Sequence, residues 1–417
     1  VNGYRWVLWG ATVLVLAGCP NKAGTNAASN SDIAVDAGLD HGDASLGADG
    51  DSGPEDTGQQ DNGPQDAGTD AEDAADTSLD AAVDVETDAA STEPGYALFF
   101  QSGFEEGVSA VELGTAKCSG DIQGSDGAFK GNWVDDLETA PIAEGRMCYG
   151  GADDCALAGD AVCQRGMERV DDPQDASNTV LRTWIAEPAE EVNDPDDMPC
   201  SGANGLDTAG SRKSRAQFTL IAQTPVPAFV YSVRLRLGEA FTVIHEELGM
   251  DLDWMTIGEF WNVGPQNINM GDRSRVTVNL VKETASEPFK FGLKGDYQPD
   301  GTTGWTSLWS GGPGHLVSDQ VVPIGEWFTL RIEVVAGDAN VGRTVVDFTP
   351  DGGETVRLFE VSDATIYPGT DILGFTAIQP VKVYTAGNLT CWLKAQTPSH
   401  PLEAWWDDFA LYLPDES

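Results

Sequence analysis

Residues 96–417 are predicted to form an all-β, antiparallel sandwich of the jelly-roll type. Three observations lead there. Short runs of alternating apolar and polar residues recur from Tyr96 onward, Gly, Pro, Asn and Asp clusters separate them, and no long helical period persists. A single domain of this length is large but acceptable for the class.

In chain order, "YALFFQSGFEEG" reads as a first strand and turn, and "TVLRTWIA" at 179–186 as the one clear strand of a loop-rich, Cys-rich insertion over about 118–212. Closely spaced strands follow: "SRAQFTLIA", "FVYSVRLRL", "WMTIGEFWN", "RVTVNLVK", "FKFGLK", "WFTLRIEVVAG", "RTVVDFT", "ETVRLFEV", "ILGFTAI" and "WWDDFALYL". Many short strands separated by Gly, Pro, Asn and Asp clusters are the pattern of an antiparallel sandwich or jelly roll.

The N-terminal part reads differently. Arg5 and the apolar run Trp6 to Ala17 have the form of an export signal, residues 1–18, too short to span a bilayer comfortably. It ends in "LAGC", which resembles a bacterial lipobox. That resemblance implies cleavage before Cys19, acylation of its thiol and a lipid anchor. Pro20 in place of Asp points to the outer membrane of a bacterial envelope. Residues 19–95 then form an acidic Asp/Ala/Gly linker. No Lys or Arg occurs between Lys22 and Lys117, and there is too little apolar surface to offset an ordering cost of roughly 1–2 kcal/mol per residue.

The chain of 417 residues has a net charge of −45, and its acidity argues against nucleic acid as a partner. Residues 96–417 hold 49 acidic against 21 basic residues, a net −28. Export implies an oxidising compartment, so Cys118, Cys148, Cys155, Cys163, Cys200 and Cys391 are expected to form three disulfides of unspecified pairing. The spacings of Cys148, Cys155 and Cys163 do not suit the short knuckles of structural zinc.

Alternation in "SRAQF" puts Arg215, Gln217 and Thr219 on one face and Ala216, Phe218 and Leu220 in the core. A polar face of that kind suits a sugar groove. Arg215, Arg234, Arg236, Arg275, Lys290 and Lys294 lie on central strands and could make it basic; cross-strand pairing with Asp and Glu is the alternative. Trp254, Trp261, Trp305 and Trp309 are candidates for stacking on sugar rings, or for core packing.

Several stretches together resemble the concanavalin A-like lectin/glucanase superfamily: "FFQSGFEEG", "ERVDDPQDASNTVLRTWI", "IGEWFTLRIEVVAGDANVGRTVVDFTPDGG" and the closing "AWWDDFALYL". The likeness runs over roughly 97–413. Within the superfamily the chain resembles heparinase- and alginate-lyase-type polysaccharide lyases, which place catalytic groups on three strands of a concave sheet. The resemblance implies roles for Arg215 and Gln217 on the first of these strands. On the second, Glu259, Trp261 and Asn262 stand where the family has Gln and His. On the third, "FKFGLKGDYQ" supplies Lys294 and Tyr297, one residue closer together than the family's pattern.

Strict alternation gives Tyr297 the core face shared by Phe289, Phe291 and Leu293, and only a bulge at Gly295 would turn it into the groove. His245 or His315 could serve as an alternative base. Arg275, Glu259, Trp261, Asn262, Trp305 and Trp309 are the expected binding residues. Glycoside hydrolysis is disfavoured, because "DLDWMTIGE" lacks the last carboxylate of the E-x-D-x-x-E pattern, Thr256 standing there.

The same resemblance implies a structural Ca²⁺ held by Glu105, Asp407 and Asp408, with Glu106 beside them. Otherwise Asp407 and Asp408 guard an edge strand. No cofactor is expected for catalysis. The expected protein is thus a monomeric, lipid-anchored, polysaccharide-binding module, with β-elimination of uronate glycans or a structural, adhesive role as alternatives.

Overall fold

A computed structural model of the chain describes residues 95–112, 120–125, 132–133, 136–148, 165–187, 213–263, 273–299, 304–309, 315–367 and 373–415, the side chains of 111, 112 and 148 excepted. The expected signal, Cys19 and linker lie outside these residues, as do Cys118, Cys155, Cys163 and Cys200.

Eighteen strands and two short helices are seen among the described residues. The strands are β1 Tyr96–Ser102, β2 Val108–Glu112, β3 Gly120–Gly124, β4 Ile142–Cys148, β5 Arg165–Asp171, β6 Thr179–Ile185, β7 Lys213–Val226, β8 Ala228–Leu237 and β9 Leu252–Val263. They continue with β10 Arg273–Lys282, β11 Lys290–Gln298, β12 Thr306–Ser307, β13 Leu316–Val321, β14 Trp327–Val335, β15 Arg343–Pro350, β16 Val356–Val361, β17 Phe375–Ala386 and β18 Leu402–Pro414. Helix α1 is Glu239–Glu247 and α2 is Gly387–Gln396.

All pairings are antiparallel and sort into two sheets. The smaller runs β16-β15-β14-β8-β18-β6-β5, with β1 beside β6 on the outer edge of β18. The larger runs β12-β11-β10-β9-β17-β7-β4-β3-β2, with β13 sharing the edge of β11 with β12. The two sheets enclose one apolar layer, which makes the fold a β-sandwich of jelly-roll type. Strand β14 shows the rule: Phe328, Leu330, Ile332 and Val334 are buried in that layer, while Thr329, Arg331 and Glu333 alternate outward. Each such side chain contributes about 1.5–3 kcal/mol on full burial. Aromatic contacts knit the layer: Trp133 stacks on Phe104 and Phe409 and meets Phe100 and Phe218 edge to face, and Phe229 meets Phe260 and Phe375 edge to face.

The stretch expected to be loop-rich between 118 and 212 contributes three further strands, β3, β4 and β5, and β4 pairs along β7 in the body of the larger sheet. The sequence "IAEGRMC" hides this because glycine holds a core-facing position. Gly145 is the residue there because Phe218 lies over it, and an added Cβ would come within 2.7 Å of that ring.

Helix α1 ends against a buried lysine. Lys282 Nζ donates to the carbonyl oxygens of His245 (2.8 Å), Leu248 (2.9 Å) and Ile244 (3.4 Å), groups that a helix C-terminus leaves unsatisfied. Helix α2 buries Leu389, Trp392 and Leu393 in the core. Its Cys391 is buried and disulfide-bonded.

Candidate functional site

The outward alternation of β7, β17, β9, β10 and β11 builds one polar face. Register places Lys382 opposite Gln217 and Tyr384 opposite Arg215, Gln379 opposite Glu259, Thr277 opposite both Glu259 and Lys294, and Arg275 opposite Asp296. Among the described residues of these strands, Lys213, Arg215, Arg273, Arg275, Lys290, Lys294 and Lys382 share the face with only two carboxylates, Glu259 and Asp296.

The inner half of this face is a solvent-excluded ion network. Lys382 Nζ donates to Glu259 Oε2 and, at 2.6 Å, to Gln379 Oε1, while Arg275 Nη1 donates to Glu259 Oε1 at 2.9 Å. Burial alone would raise the Glu259 carboxyl, but the charges of Lys382 and Arg275 outweigh it and hold the group below its ordinary value. Arg275 Nη2 and Lys294 Nζ each lie 3.4 Å from Asp296 Oδ2. Tyr384 has the charged groups of Lys382 and Arg215 at 4.7 and 5.4 Å from its ring centroid, and the Trp254 ring at 5.1 Å. Gln217 Nε2 donates to Thr219 Oγ1 at 3.0 Å.

Exposure grows toward β11. The Lys382 and Glu259 side chains are 2% exposed, Arg275 15% and Lys294 30%. At this outer half, Trp261 and Trp305 meet edge to face at 5.7 Å, and Arg275 lies 4.0 Å and Arg273 5.2 Å from the Trp305 ring centroid. His315, just before β13, completes the group. Its Nδ1 lies 3.3 Å from Asn279 Nδ2, and the side chain lies over Gly292, where a Cβ would meet Val281 Cγ1 at 2.9 Å and His315 Nδ1 at 3.3 Å. Burial pushes this histidine down to about 4, and Lys294 and Arg275 push the same way.

Several expected site residues lie elsewhere. Tyr297 pairs with Ser274 in an unbroken β10–β11 register, so no bulge forms at Gly295; the ring lies on the side opposite Lys294 and Asp296, 5.0 Å from Tyr367. Gly295 serves another purpose: the Trp309 indole covers it, and an added Cβ would meet that ring at 2.6–2.9 Å. Trp309 thus packs against the core and donates its Nε1–H to Ala364 O at 2.9 Å. Asn262 is buried on the core side of β9 and donates to the Gly374 carbonyl. His245 is on α1 beside the core residue Phe289. Arg215 and Gln217 do share the polar face, but at 3% and 0% exposure they are not an open groove floor. Arg234 and Arg236 belong to the other sheet, where they lie over Trp327 and Trp405.

The residues expected to hold calcium have other partners. Among the described residues no group of three or more His, Cys, Asp or Glu is placed to hold a metal ion. Asp407 Oδ2 accepts from Asn178 Nδ2 at 2.9 Å and lies 3.4 Å from Arg234 Nη1, and Glu105 Oε2 accepts from Thr179 Oγ1 at 3.0 Å.

Lys382, Tyr384, Asp296 and Asn279 were not singled out from sequence. "VKVYT" at 381–385 does alternate, but Pro380 just before it reads as a strand end. Strand β17 continues past that proline through an irregularity between Ile378 and Val381.

No family model matches the chain, and no curated protein matches it. Among solved structures it is similar to the PL-14 alginate lyase from Aplysia kurodai, at 10% identity and TM-score 0.41 over 76% of this chain and 100% of that one. It is also similar to the endo-β-1,4-glucuronan lyase of Trichoderma reesei, at 12% identity and TM-score 0.34 over 64% and 93% of the two chains. A third is the GH131 β-glucanase catalytic domain of Podospora anserina, at 11% identity and TM-score 0.34 over 76% and 95%.

Proposed function

We propose that residues 96–417 bind an anionic polysaccharide of the polyuronate class, at the outer half of the polar face. The observation that carries this is the charge reversal. Among the described residues of β7, β17, β9, β10 and β11, seven cations share the polar face with two carboxylates, in a region whose net charge is −28. Within a Debye length of ~8 Å the local patch, rather than the overall charge, decides what a ligand feels. Lys294, Arg275 and Arg273 offer donors for carboxylates, and Trp261 and Trp305, over which the two arginines lie, add apolar surface beside them.

β-Elimination is the second reading, and Tyr384 favours it. It is a phenol on the polar face flanked by Lys382 and Arg215, and Arg275 and Lys294 could neutralise the uronate carboxylate; at 5% exposure Tyr384 can accept a proton only if the inner half opens to the substrate. Hydrolysis fits less well, because it needs a protonated carboxyl and Glu259 is held ionised. Anchoring to the outer membrane of a bacterial envelope through acylated Cys19 belongs to the same proposal. It rests on "LAGC" and is tested by fatty-acid labelling of wild type against Cys19→Ala.

The decisive experiment titrates alginate, polygalacturonate and a neutral glucan into the purified protein, and follows the absorbance of unsaturated uronate. Binding of the polyuronates alone is expected, with Lys294→Ala weakening it about three- to tenfold and flattening its salt dependence. Equal affinity for the neutral glucan, or no binding, would overturn the reading in favour of a structural module. Growth of the absorbance would promote β-elimination to the main activity.

A further inference from the structure

Asn279 fixes a proton on its neighbour. Its side chain is buried on the polar face, where Thr256 Oγ1 donates to its Oδ1 at 2.8 Å. Its Nδ2 donates to Thr277 Oγ1 at 2.9 Å and faces the Thr277 carbonyl oxygen at 3.4 Å. A carbonyl oxygen can only accept, so the amide's NH₂ end is the one turned that way. The same NH₂ lies 3.3 Å from Nδ1 of His315. A ring nitrogen that faces an N–H donor must be the bare one, and a neutral imidazole then carries its proton on Nε2.

We propose that His315 is a neutral, tautomer-locked hydrogen-bond donor, and that its Nε2–H joins Lys294 and Arg275 in a subsite for a carboxylate of the bound glycan. The ligand half of this inference rests on the polysaccharide reading above; the proton assignment does not. Three further features agree. Gly292 leaves room for the ring to lie on β11, since any Cβ there would crowd it. Burial and the two cations, Lys294 from β11 and Arg275 from β10, disfavour a second ring proton. Protonating Nδ1 would also set two donors, Nδ1–H and the Asn279 NH₂, against each other. In this role His315 is no general base, because the nitrogen that could accept a proton is already held by Asn279.

Two measurements test it. Long-range ¹H–¹⁵N spectra of the full chain labelled in histidine should show His315 protonated at Nε2 and bare at Nδ1, unchanged from pH 8 to pH 5. An Nδ1–H tautomer, or a titration midpoint at the ordinary value of about 6.5, would overturn the assignment. Polygalacturonate is then titrated into wild type, His315→Gln and His315→Ala at pH 7. Gln keeps a primary amide donor and should bind within about threefold of wild type, whereas Ala should lose about tenfold, the scale of one hydrogen bond to a charged group. Equal losses in both variants would refute the donor role. If wild type binds no polyuronate, the subsite and the polysaccharide reading fall together, while the spectra still decide the tautomer.

Discussion

Replacing Lys382 by Met tests whether the inner half of the polar face is a scaffold. The substitution keeps an unbranched side chain of similar length and removes the ammonium that Glu259 Oε2 and Gln379 Oε1 both accept from. Glu259 is left at 2% side-chain exposure with Arg275, at 2.9 Å, as its remaining ion-pair partner. Breaking a buried ion pair costs about 3–5 kcal/mol, and the surviving Arg275 contact places this case near ~3 kcal/mol. Urea unfolding should therefore show a lower midpoint at unchanged slope.

Adding Glu259→Gln to Lys382→Met removes the stranded charge and should recover about 2 kcal/mol. The pH dependence has a definite sign. Folding lowers the Glu259 carboxyl from its ordinary 4.5, so its contribution is present above that value and is lost as pH falls through the lower folded one. Wild type should thus exceed Glu259→Gln most at pH 7 and least in acid. A cost for Lys382→Met below about 1 kcal/mol, or no recovery in the double variant, would refute the scaffold argument.

Gly295→Ala should cost about 1–3 kcal/mol and shift the tryptophan emission, because the new methyl group meets the Trp309 ring; polyuronate affinity should not change. Burial, then the neighbouring Asp408, pushes Asp407 up to about 7. A carboxyl raised on folding contributes stability below its ordinary value, and this is lost as pH rises through the raised one. Asp407→Asn should therefore be nearly neutral at pH 4 and stabilising by about 1–3 kcal/mol at pH 8 in thermal scans, with added calcium changing neither protein. A calcium-dependent rise in wild-type melting temperature would restore the ion expected from Glu105, Asp407 and Asp408. Asn279→Asp puts a carboxylate where an amide N–H faces His315 Nδ1, and should move the ring proton to Nδ1 and raise the titration midpoint well above 4, as read by NMR.

How much was legible varied with the kind of signal. Strands β7 to β11 and β14 to β16 were visible because a strand covering a core on one side must alternate, as "FTLRIEVV" does. The same rule assigned Tyr297 to the core face, which the uninterrupted β10–β11 register shows; the family's spacing had suggested otherwise. Strands β3 to β5 were hidden by glycines and charges, whose usefulness depends on partners far away in the chain, such as Phe218 over Gly145. Lys382 was hidden by Pro380, a local stop signal that the pairing of β17 with β7 and β9 overrides. Trp309 and Trp261 look alike in sequence; only their neighbours separate a core ring from one on the polar face.

The sequence by itself determined the all-β class, most of the strands and which residues of each strand share a face, since side-chain direction along a strand follows from covalent geometry and period two. Tertiary structure alone decided which faces meet, that Glu259 is matched by Lys382 rather than left to solvent, and which half of the polar surface is open. These are properties of juxtaposition and burial. They arise from contacts between segments over a hundred residues apart, which no local pattern of residues encodes.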